Sequence, residues 1–208
     1  MKYQDYVIKN GNFVGKFEEM YQKFENPWHQ SDPATKSSIS RQAVSYYVNK
    51  YNIQSIVEFG CGLGDTAASI KRLVDHEVDY LGIDISQTAI AAARTKHTDI
   101  KFDIDDCSNI QDYSNFQAIF FSEITWYLLE EEKLDRIFDK MKTLFSGGEK
   151  FFIHNLVFYK NGLQRYGNNY FTSLEEFVSF CPFELLGTTE VNDLENNVAV
   201  ETCSIFKV

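Results

Sequence analysis

The sequence is poor in cysteine, in proline and in long apolar runs. Its four cysteines, at positions 61, 107, 181 and 203 of 208, are too far apart for a zinc-binding pair. No apolar run is long enough to span a membrane, and residues 1–5 lack the apolar core of a signal peptide. We therefore expect a cytoplasmic protein with reduced thiols, no bound metal and no membrane partner.

Basic residues are also scarce. Lys and Arg together number 20 against 30 Asp and Glu, which gives a formal net charge of −10. Nucleic-acid binding needs clustered positive charge, so we expect no nucleic-acid partner. The composition, 44% hydrophobic and 15% aromatic, is globular, and no repeat or low-complexity segment divides the chain. We predict a single domain over residues 1–208, large enough to bury about 70% of its unfolded surface.

Three glycines at alternate positions are the most informative feature. Gly60, Gly62 and Gly64 directly follow a short apolar run, residues 55–59, that predicts a buried strand, and apolar residues at helical spacing come next. A sharp turn from strand to helix places bare backbone N–H groups where a nucleotide-like ligand can approach. A dinucleotide fingerprint would need its third glycine at position 65, which is Asp65 here.

Two further predicted strands end in acidic residues. Residues 80–84 end in Asp84, where a doubly wound fold accepts ribose hydroxyl groups. Residues 100–104 alternate between apolar and polar side chains and lead into Asp105 and Asp106. The alternatives are an ordinary strand-end acid, a solvated acidic loop or a cation site, although the glycine and glutamate of a calcium-binding loop are missing.

The acid-x-Gly-x-Gly-x-Gly pattern that begins at Glu58 resembles the first motif of class I S-adenosylmethionine-dependent methyltransferases. The resemblance covers residues 37–208. It implies that S-adenosylmethionine is the cofactor and S-adenosylhomocysteine its product. In that family an acid in the place of Asp106 binds the adenine amino group, whereas Asp105 stands where glycine is usual. The cofactor-binding residues expected from this resemblance are Trp28, Glu58, Gly60, Cys61, Gly62, Gly64, Asp84, Ile85, Asp105, Asp106, Cys107 and Ser122.

The expected fold is α/β: a doubly wound, Rossmann-like, seven-stranded sheet, mostly parallel, with a C-terminal antiparallel hairpin. We predict strands near 55–59, 80–84, 100–104, 118–122 and 150–155, and a hairpin of 183–191 with 198–206. The predicted helices include 37–51, 130–145 and 173–180. Residues 1–35 are rich in aromatic side chains, and we expect them to form a lid that contributes to the acceptor site.

Residues 120–128 lie where the family's acceptor meets the methyl group. They contain neither the Asp/Asn-Pro-Pro-Tyr of adenine-N6 enzymes nor the Pro-Cys of cytosine-C5 enzymes. They resemble the Ser-Glu-Val-Leu-Tyr-Tyr-Leu of the nodulation N-methyltransferase family, although Thr125 and Trp126 differ. Asn26-Pro27-Trp28 and Gly147-Gly148 with His154 are also similar. The resemblance implies methylation of amino groups on sugars or oligosaccharides. We therefore expect a small-molecule acceptor, a sugar or sugar nucleotide methylated at an amino or hydroxyl group in surface polysaccharide biosynthesis.

Methyl transfer to an amine requires that the nitrogen lose a proton. Glu123 and His154, expected at the tips of the fourth and fifth strands, are the candidate bases, and Tyr127 is the candidate orienting group. The alternatives are that Glu123 only holds cofactor or lid, that His154 is a rim histidine, and that Trp126 belongs to the core. Lys160 and Arg165 offer charge for an acceptor phosphate, or are simply solvated.

Three other functions compete with this interpretation. The acceptor could be a non-sugar metabolite such as a quinone, a thiol or a heteroaromatic compound. An NAD-binding redox module is disfavoured by Asp65 in place of the third glycine. A non-catalytic scaffold is disfavoured because Glu58, Asp84 and Asp106 are all present.

Overall fold

The computed structural model describes residues 2–36, 38–129, 133–145, 148–160, 171–192 and 198–208. Within these ranges a seven-stranded sheet is built from β3 (Ser55–Phe59), β4 (Asp79–Asp84), β5 (Lys101–Ile104), β6 (Ala118–Ser122), β7 (Phe151–Tyr159), β8 (Glu184–Asn192) and β9 (Ala199–Lys207). The strand order is β5-β4-β3-β6-β7-β9-β8. Neighbours from β5 to β7 are parallel, and β9 is antiparallel to both β7 and β8.

The helices are α1 (Phe17–Lys23), α2 (Pro33–Lys36), α3 (Ile39–Lys50), α4 (Asp65–Leu73), α5 (Gln87–Lys96), α6 (Lys133–Leu144) and α7 (Leu174–Phe180). A two-stranded hairpin joins β1 (Ile8–Lys9) to β2 (Asn12–Phe13), and short 3-10 turns cover Tyr3–Tyr6, Cys107–Tyr113 and Thr125–Tyr127. Ser38, Ser86 and Ser173 start α3, α5 and α7, because each hydroxyl accepts a hydrogen bond from a first-turn N–H group. None of the described helices is long and apolar enough to cross a membrane.

Each face of the sheet is covered by helices, as the alternation of strands and helices predicts. Phe121 and Phe152 point to one face, where Phe138 of α6 and Phe177 of α7 complete the cluster. On the other face Ala43, Val44, Tyr47 and Val48 of α3 and Ala67 and Ile70 of α4 pack with Ile90 and Ala93 of α5. The predicted doubly wound fold with its C-terminal hairpin is therefore confirmed.

Strand β7 is longer than predicted. The sequence suggested an end near residue 155, but β7 continues to Tyr159, four residues farther. Its parallel neighbour β6 stops at Ser122, opposite Asn155. Pairing with β9 continues to Tyr159, opposite Ala199, and this antiparallel partner supplies the hydrogen bonds that extend the strand.

The order of the strands in the sheet reverses at β3. The chain passes from β3 outward to β4 and β5, then returns to place β6 and β7 on the opposite side. In open α/β sheets, ligands bind outside the carboxyl ends of the strands at such a reversal. The carboxyl ends of β3 and β6 are therefore the expected place for a ligand.

The N-terminal segment, residues 2–35, packs beside these strand ends. Tyr6, Val7, Met20 and Tyr21 are buried in a cluster that also contains Leu63 and Ala89; the latter two belong to the glycine turn and to α5. This small cluster attaches the segment to the sheet domain.

Phe152 tests the packing of the larger core. Its ring is fully buried and lies 5.2 Å from the Phe121 ring centre and 5.5 Å from that of Phe138. Phe152→Ala should lower the unfolding free energy by about 3–5 kcal/mol, because the truncation leaves a cavity in a close-packed interior. Urea unfolding followed by circular dichroism measures the loss. Tyr46→Ala, at a ring that is 57% exposed, is the control and should cost far less; equal losses would contradict this packing.

Candidate active site

A cavity of about 970 Å³ opens at the carboxyl ends of the parallel strands. Most of the residues predicted to form the site contribute to its wall. These are Trp28, Gly60, Asp84, Ile85, Asp105, Asp106, Cys107, Ser122, Glu123 and Tyr127. Residues that are far apart in the sequence therefore meet in one space, because the parallel strands all end at the same edge of the sheet.

The glycine turn is shaped by the protein's own packing. Gly60 has a φ of +82°, and a Cβ there would lie 2.1 Å from Cγ2 of Ile124. A Cβ on Gly62 would lie 2.5 Å from the Gln30 side chain and 2.7 Å from the Tyr21 hydroxyl. Gly62 is thus covered by the N-terminal segment, and it does not line the cavity.

The backbone N–H groups of residues 60–64 are all used within the protein. Their acceptors, at 2.8 to 3.0 Å, are the Ile83 carbonyl for Gly60 and Cys61, the Asp84 carboxylate for Gly62, the Gln30 side chain for Leu63 and the Cys61 carbonyl for Gly64. The expectation of bare N–H groups is therefore wrong. A bound pyrophosphate would find no free donor in this turn and would face the Asp84 carboxylate.

Asp84 is held in place by two backbone donors. Its Oδ2 accepts from Gly62 N at 3.0 Å and its Oδ1 from Ser86 N at 2.9 Å. Burial raises the pKa of Asp84 to about 6, although these hydrogen bonds act in the opposite direction. The carboxylate lines the cavity in a fixed orientation, which suits a group that accepts hydrogen bonds from ligand hydroxyls.

Asp105 and Asp106, the two acids after β5, differ in their exposure and in the hydrogen bonds that they accept from the protein. Burial would raise the pKa of Asp105, but hydrogen bonds from Tyr113, Asn109 and the Asp106 N–H hold it below its ordinary value. Asp106 is exposed, and one of its oxygens accepts from Ser108 N at 2.7 Å. Because Asp106 is exposed and Asp105 is half-buried and already accepts three hydrogen bonds, Asp106 is the better placed of the two to bind a ligand.

Glu58, Cys61 and Gly64 do not line the cavity. Glu58 is fully buried behind the glycine turn and accepts a hydrogen bond from the Tyr80 hydroxyl at 2.9 Å. Burial raises the pKa of Glu58 to about 7, while the hydroxyls of Tyr80 and Ser122 oppose the shift. Cys61 is also fully buried, and Gly64 leaves room for the ring of Phe102. These three residues support the turn and are not placed to touch a ligand.

Glu123 lies where it was predicted, directly after β6. Its backbone is left-handed, with a φ of +59°, and its N–H donates to the Asn155 carbonyl at 3.2 Å. Such a conformation is costly for a residue with a side chain, and strained residues of this kind cluster at functional sites. The side chain is exposed and lines the cavity. Desolvation by the surrounding protein raises the pKa of Glu123, the charge of Glu201 adds to the shift, and Arg41 opposes it.

The predicted position of His154 is wrong. Because β7 extends to Tyr159, His154 lies within the strand and not at its tip, and it is fully buried away from the cavity. Its Nε2 lies 2.7 Å from the Thr125 hydroxyl, and its ring stacks on Phe177 with centres 3.9 Å apart. Burial lowers the pKa of His154 to about 3. A neutral, enclosed imidazole of this kind holds the Thr125–Tyr127 turn and cannot reach an acceptor.

Aromatic rings cover one side of the cavity. Tyr127 stacks on Phe13 with ring centres 5.9 Å apart, and its ring centre lies 5.1 Å from that of Phe17 and 6.4 Å from that of Trp28. We call Phe13, Phe17, Trp28 and Tyr127 the aromatic wall. Three of its four members come from the N-terminal segment, so this segment forms part of the site. Trp126 also borders the cavity but is 94% buried, since its relative exposure is 6%.

Sequence reasoning missed Arg41 and Glu201. Arg41 in α3 lines the cavity with a relative exposure of 7%, and its guanidinium donates one hydrogen bond, at 3.5 Å, to the Gln30 carbonyl. Its spacing from Val44 and Val48 put a charge on the apolar face of a predicted helix, and this was a usable signal. Glu201 in β9 also lines the cavity, and no pattern in the sequence marks it.

Other predicted features fall elsewhere. Lys160 does not line this cavity and donates to Asn192 Oδ1 at 2.6 Å. Arg165 and Gly147 lie outside the described residues. In the part of the chain that the structure describes, no group of three or more His, Cys, Asp and Glu side chains is arranged to hold a metal ion.

Comparison of the sequence with protein families gives one match. Residues 56–148 match a family described as a methyltransferase domain. This range runs from β3 into the loop before β7 and includes Asp84, Asp106 and Glu123. No protein of curated function matches the chain in sequence.

Solved structures share the fold over almost the whole chain. The N-methyltransferase NodS from Bradyrhizobium japonicum WM9, in complex with S-adenosylhomocysteine, has a TM-score of 0.67 at 15% identity and covers 92% of this chain and 96% of its own. A methyltransferase from Clostridium acetobutylicum ATCC 824 gives 0.62 at 13%, covering 90% and 98%. The plantazolicin methyltransferase BamL, with a triazolic desmethylPZN analog and S-adenosylhomocysteine, gives 0.61 at 15%, covering 91% of each.

At these identities the solved structures establish the fold, and the family match adds the sequence signature of the cofactor-binding half. Residues 56–148 therefore belong to a methyltransferase domain, and the chain has the fold of S-adenosylmethionine-dependent methyltransferases.

Proposed function

We propose that this enzyme methylates an amino or hydroxyl group of a sugar or sugar nucleotide. The observation that carries the proposal is that Asp84, held by two backbone N–H groups, shares one cavity with the strained Glu123 and the aromatic wall. One end of the cavity suits an adenosine, and the other offers a base and flat apolar surfaces. A pathway in surface polysaccharide biosynthesis follows from the motif resemblance of residues 120–128.

Three charged residues would hold the cofactor. The Asp84 carboxylate would accept hydrogen bonds from the ribose hydroxyls, and Asp106 would accept one from the adenine amino group. Arg41 is buried and lines the cavity, and among the described residues its guanidinium donates only to the Gln30 carbonyl, so it would bind the carboxylate of the methionine portion. Ile85, which is 48% exposed, offers an apolar surface for the adenine ring.

Glu123 is the proposed base. When bound, S-adenosylmethionine supplies an electrophilic methyl group for in-line displacement. Glu123 would take the proton from the acceptor nitrogen or oxygen, and its raised pKa makes the carboxylate a better proton acceptor than an ordinary glutamate. Tyr127 and the other rings would orient the acceptor and exclude water, since collinear positioning supplies much of the rate.

The aromatic wall also suits a flat, non-sugar acceptor, which is the second candidate. A heteroaromatic compound would stack on Tyr127 and Phe13 as readily as the apolar face of a sugar ring. An NAD-dependent redox function is disfavoured, because the glycine turn offers no free N–H donor to a pyrophosphate. Four unpaired, buried cysteines support a location in the reducing cytoplasm.

We further propose that the N-terminal segment is a lid. Polar contacts hold it at several places on the sheet domain, among them the glycine turn, where the Gln30 side chain accepts from Leu63 N at 2.9 Å. Glu18 accepts hydrogen bonds from Ser86 and from Thr88 at the start of α5. Ser31 donates to the buried Asp65 at 2.7 Å. Opening these contacts would expose the glycine turn and remove most of the aromatic wall.

The first prediction concerns the ribose-binding acid. Asp84→Ala should weaken S-adenosylhomocysteine binding by roughly 1.5–3 kcal/mol, about 10- to 150-fold, because a charged hydrogen-bond acceptor is lost. Isothermal titration calorimetry measures the change. Asp79→Ala, at the opposite end of β4, is the matched control and should leave the affinity unchanged. Similar affinities for all three proteins would show that Asp84 does not bind the ribose.

Cofactor affinity should depend on pH. Asp84 has a pKa of about 6 in the folded protein, so it gains a proton and loses acceptor strength as the pH falls through 6. Affinity for S-adenosylhomocysteine should fall about tenfold between pH 7 and pH 5, and Asp84→Asn should remove this dependence. Because the pKa of Asp84 in the folded protein lies above the ordinary aspartate value of 3.8, protonation of Asp84 favours the folded state in this range. The fall in affinity at pH 5 could therefore not be attributed to unfolding caused by protonation of Asp84. Constant affinity across this range would contradict the assignment.

The catalytic prediction separates Glu123 from cofactor binding. Labelled methyl donor and a panel of amino sugars and hydroxyl analogues first identify an accepted substrate. On that substrate, Glu123→Gln should lower turnover by about a hundredfold while S-adenosylhomocysteine affinity changes little. Glu190→Gln, on β8 and away from the cavity wall, should behave as the wild type. Near-normal turnover of Glu123→Gln would mean that positioning alone drives the reaction.

Limited proteolysis tests the lid. Cleavage between residues 11 and 30 should be slowed when S-adenosylhomocysteine and acceptor are bound. Glu18→Gln should speed cleavage of the free protein, because a neutral amide replaces the carboxylate that accepts hydrogen bonds from the start of α5 and binds there more weakly. Glu19→Gln, whose exposed side chain pairs with Lys16, is the neighbouring control. Equal protection with and without ligands would mean that the segment is a fixed part of the core.

A further inference from the structure

We propose that Glu201 is a specificity-determining residue which, together with Glu123, selects an acceptor that arrives as a protonated amine. This inference rests on the proposed methyl transfer and narrows its substrate class. The nodulation-family resemblance favours amino groups, and Glu201, which plays no part in that resemblance, is an independent observation.

The topology of the sheet brings the two carboxylates to one side of the cavity. Glu123 follows the end of β6, and β7 and β9 are the next two strands in the sheet. Glu201 of β9 is paired with Val157 of β7, and both side chains border the cavity. The part of β7 beyond the end of β6 therefore lies between Glu123 and Glu201 in the wall of the cavity.

Both carboxylates border the cavity. In the described part of the chain, neither side chain takes part in a salt bridge or a hydrogen bond. The negative charge of Glu201 raises the pKa of Glu123, so the two groups repel each other across the cavity. The positive charge of Arg41 has the opposite effect and lowers the pKa of Glu123. An ammonium group between the two carboxylates would relieve their repulsion, whereas a neutral hydroxyl would not.

The aromatic wall adds a second, independent preference for a cation. Tyr127 follows Glu123 by four residues, and its ring lies among Phe13, Phe17 and Trp28. The faces of aromatic rings carry negative potential and attract an ammonium group. Carboxylates and rings thus favour the same chemical group, a primary or secondary amine attached to an apolar or ring-shaped body.

The proton balance also suits an amine. The bound ammonium gives one proton to the Glu123 carboxylate, which becomes a carboxylic acid and leaves a nitrogen with a free lone pair. That nitrogen forms a bond to the methyl carbon as the carbon–sulfur bond breaks and its electron pair stays on sulfur. The methylated nitrogen is positively charged again, and it remains beside the Glu201 side chain.

Two matched probes test the inference. Benzylamine and benzyl alcohol share one ring and differ in carrying an ammonium or a hydroxyl group at pH 7. Their binding to the S-adenosylhomocysteine complex is measurable by tryptophan fluorescence, because both tryptophans, Trp28 and Trp126, line the cavity. We expect the wild type to bind benzylamine at least ten times more tightly than benzyl alcohol.

Glu201→Gln should reduce this preference to within about threefold and leave benzyl alcohol binding unchanged. Glu201→Asp, which keeps the charge, should retain more of the preference. Glu190→Gln on the adjacent strand β8 does not border this cavity and should keep the full preference. Binding of S-adenosylhomocysteine to each variant shows that it is folded.

The outcomes separate the two levels of the proposal. Equal binding of the two probes by the wild type, no binding of either probe, or a full preference in Glu201→Gln would each overturn the role of Glu201. If S-adenosylhomocysteine still binds in those cases, the proposed methyl transfer stands. If S-adenosylhomocysteine does not bind to the wild type, the proposed function fails together with the inference.

Discussion

The hydrogen bond between the Gly62 N–H and the Asp84 carboxylate is the contact on which the site depends. It joins the glycine turn after β3 to the tip of β4, and a second bond, from Ser86 N, fixes the other oxygen of Asp84. The carboxylate is thereby fixed in orientation at the cavity before any ligand arrives. Pre-orientation of this kind lowers the entropic cost of binding.

The same contact determines which nucleotides the turn can accept. In phosphate-binding turns the backbone N–H groups point at the ligand. Here the five N–H groups of residues 60–64 are occupied by protein acceptors, and a carboxylate stands among them. S-adenosylmethionine carries a sulfonium and no phosphate. It therefore needs no N–H donors for a phosphate group, and its ribose hydroxyls can donate to Asp84. The turn therefore separates two ligand classes that share a strand–glycine–helix motif.

Local pattern predicted most of the sheet, whereas features set by distant strands were not predictable. Apolar runs and glycine spacing located β3 and β6 to the residue. The length of β7 depends on its pairing with β9, about 50 residues later in the chain, so His154 was placed at a tip that does not exist. Glu201 was missed for the same reason. Gly62 and Gly64 were recognised, but the side chains that require them, Gln30 and Phe102, come from other parts of the chain.

The choice of cofactor is the central claim, and calorimetry with S-adenosylhomocysteine and NAD in parallel tests it most directly. The structure predicts that S-adenosylhomocysteine binds in the low-micromolar range, about −8 kcal/mol, and that NAD gives no measurable heat of binding. NAD binding of comparable strength, with no response to S-adenosylhomocysteine, would contradict it.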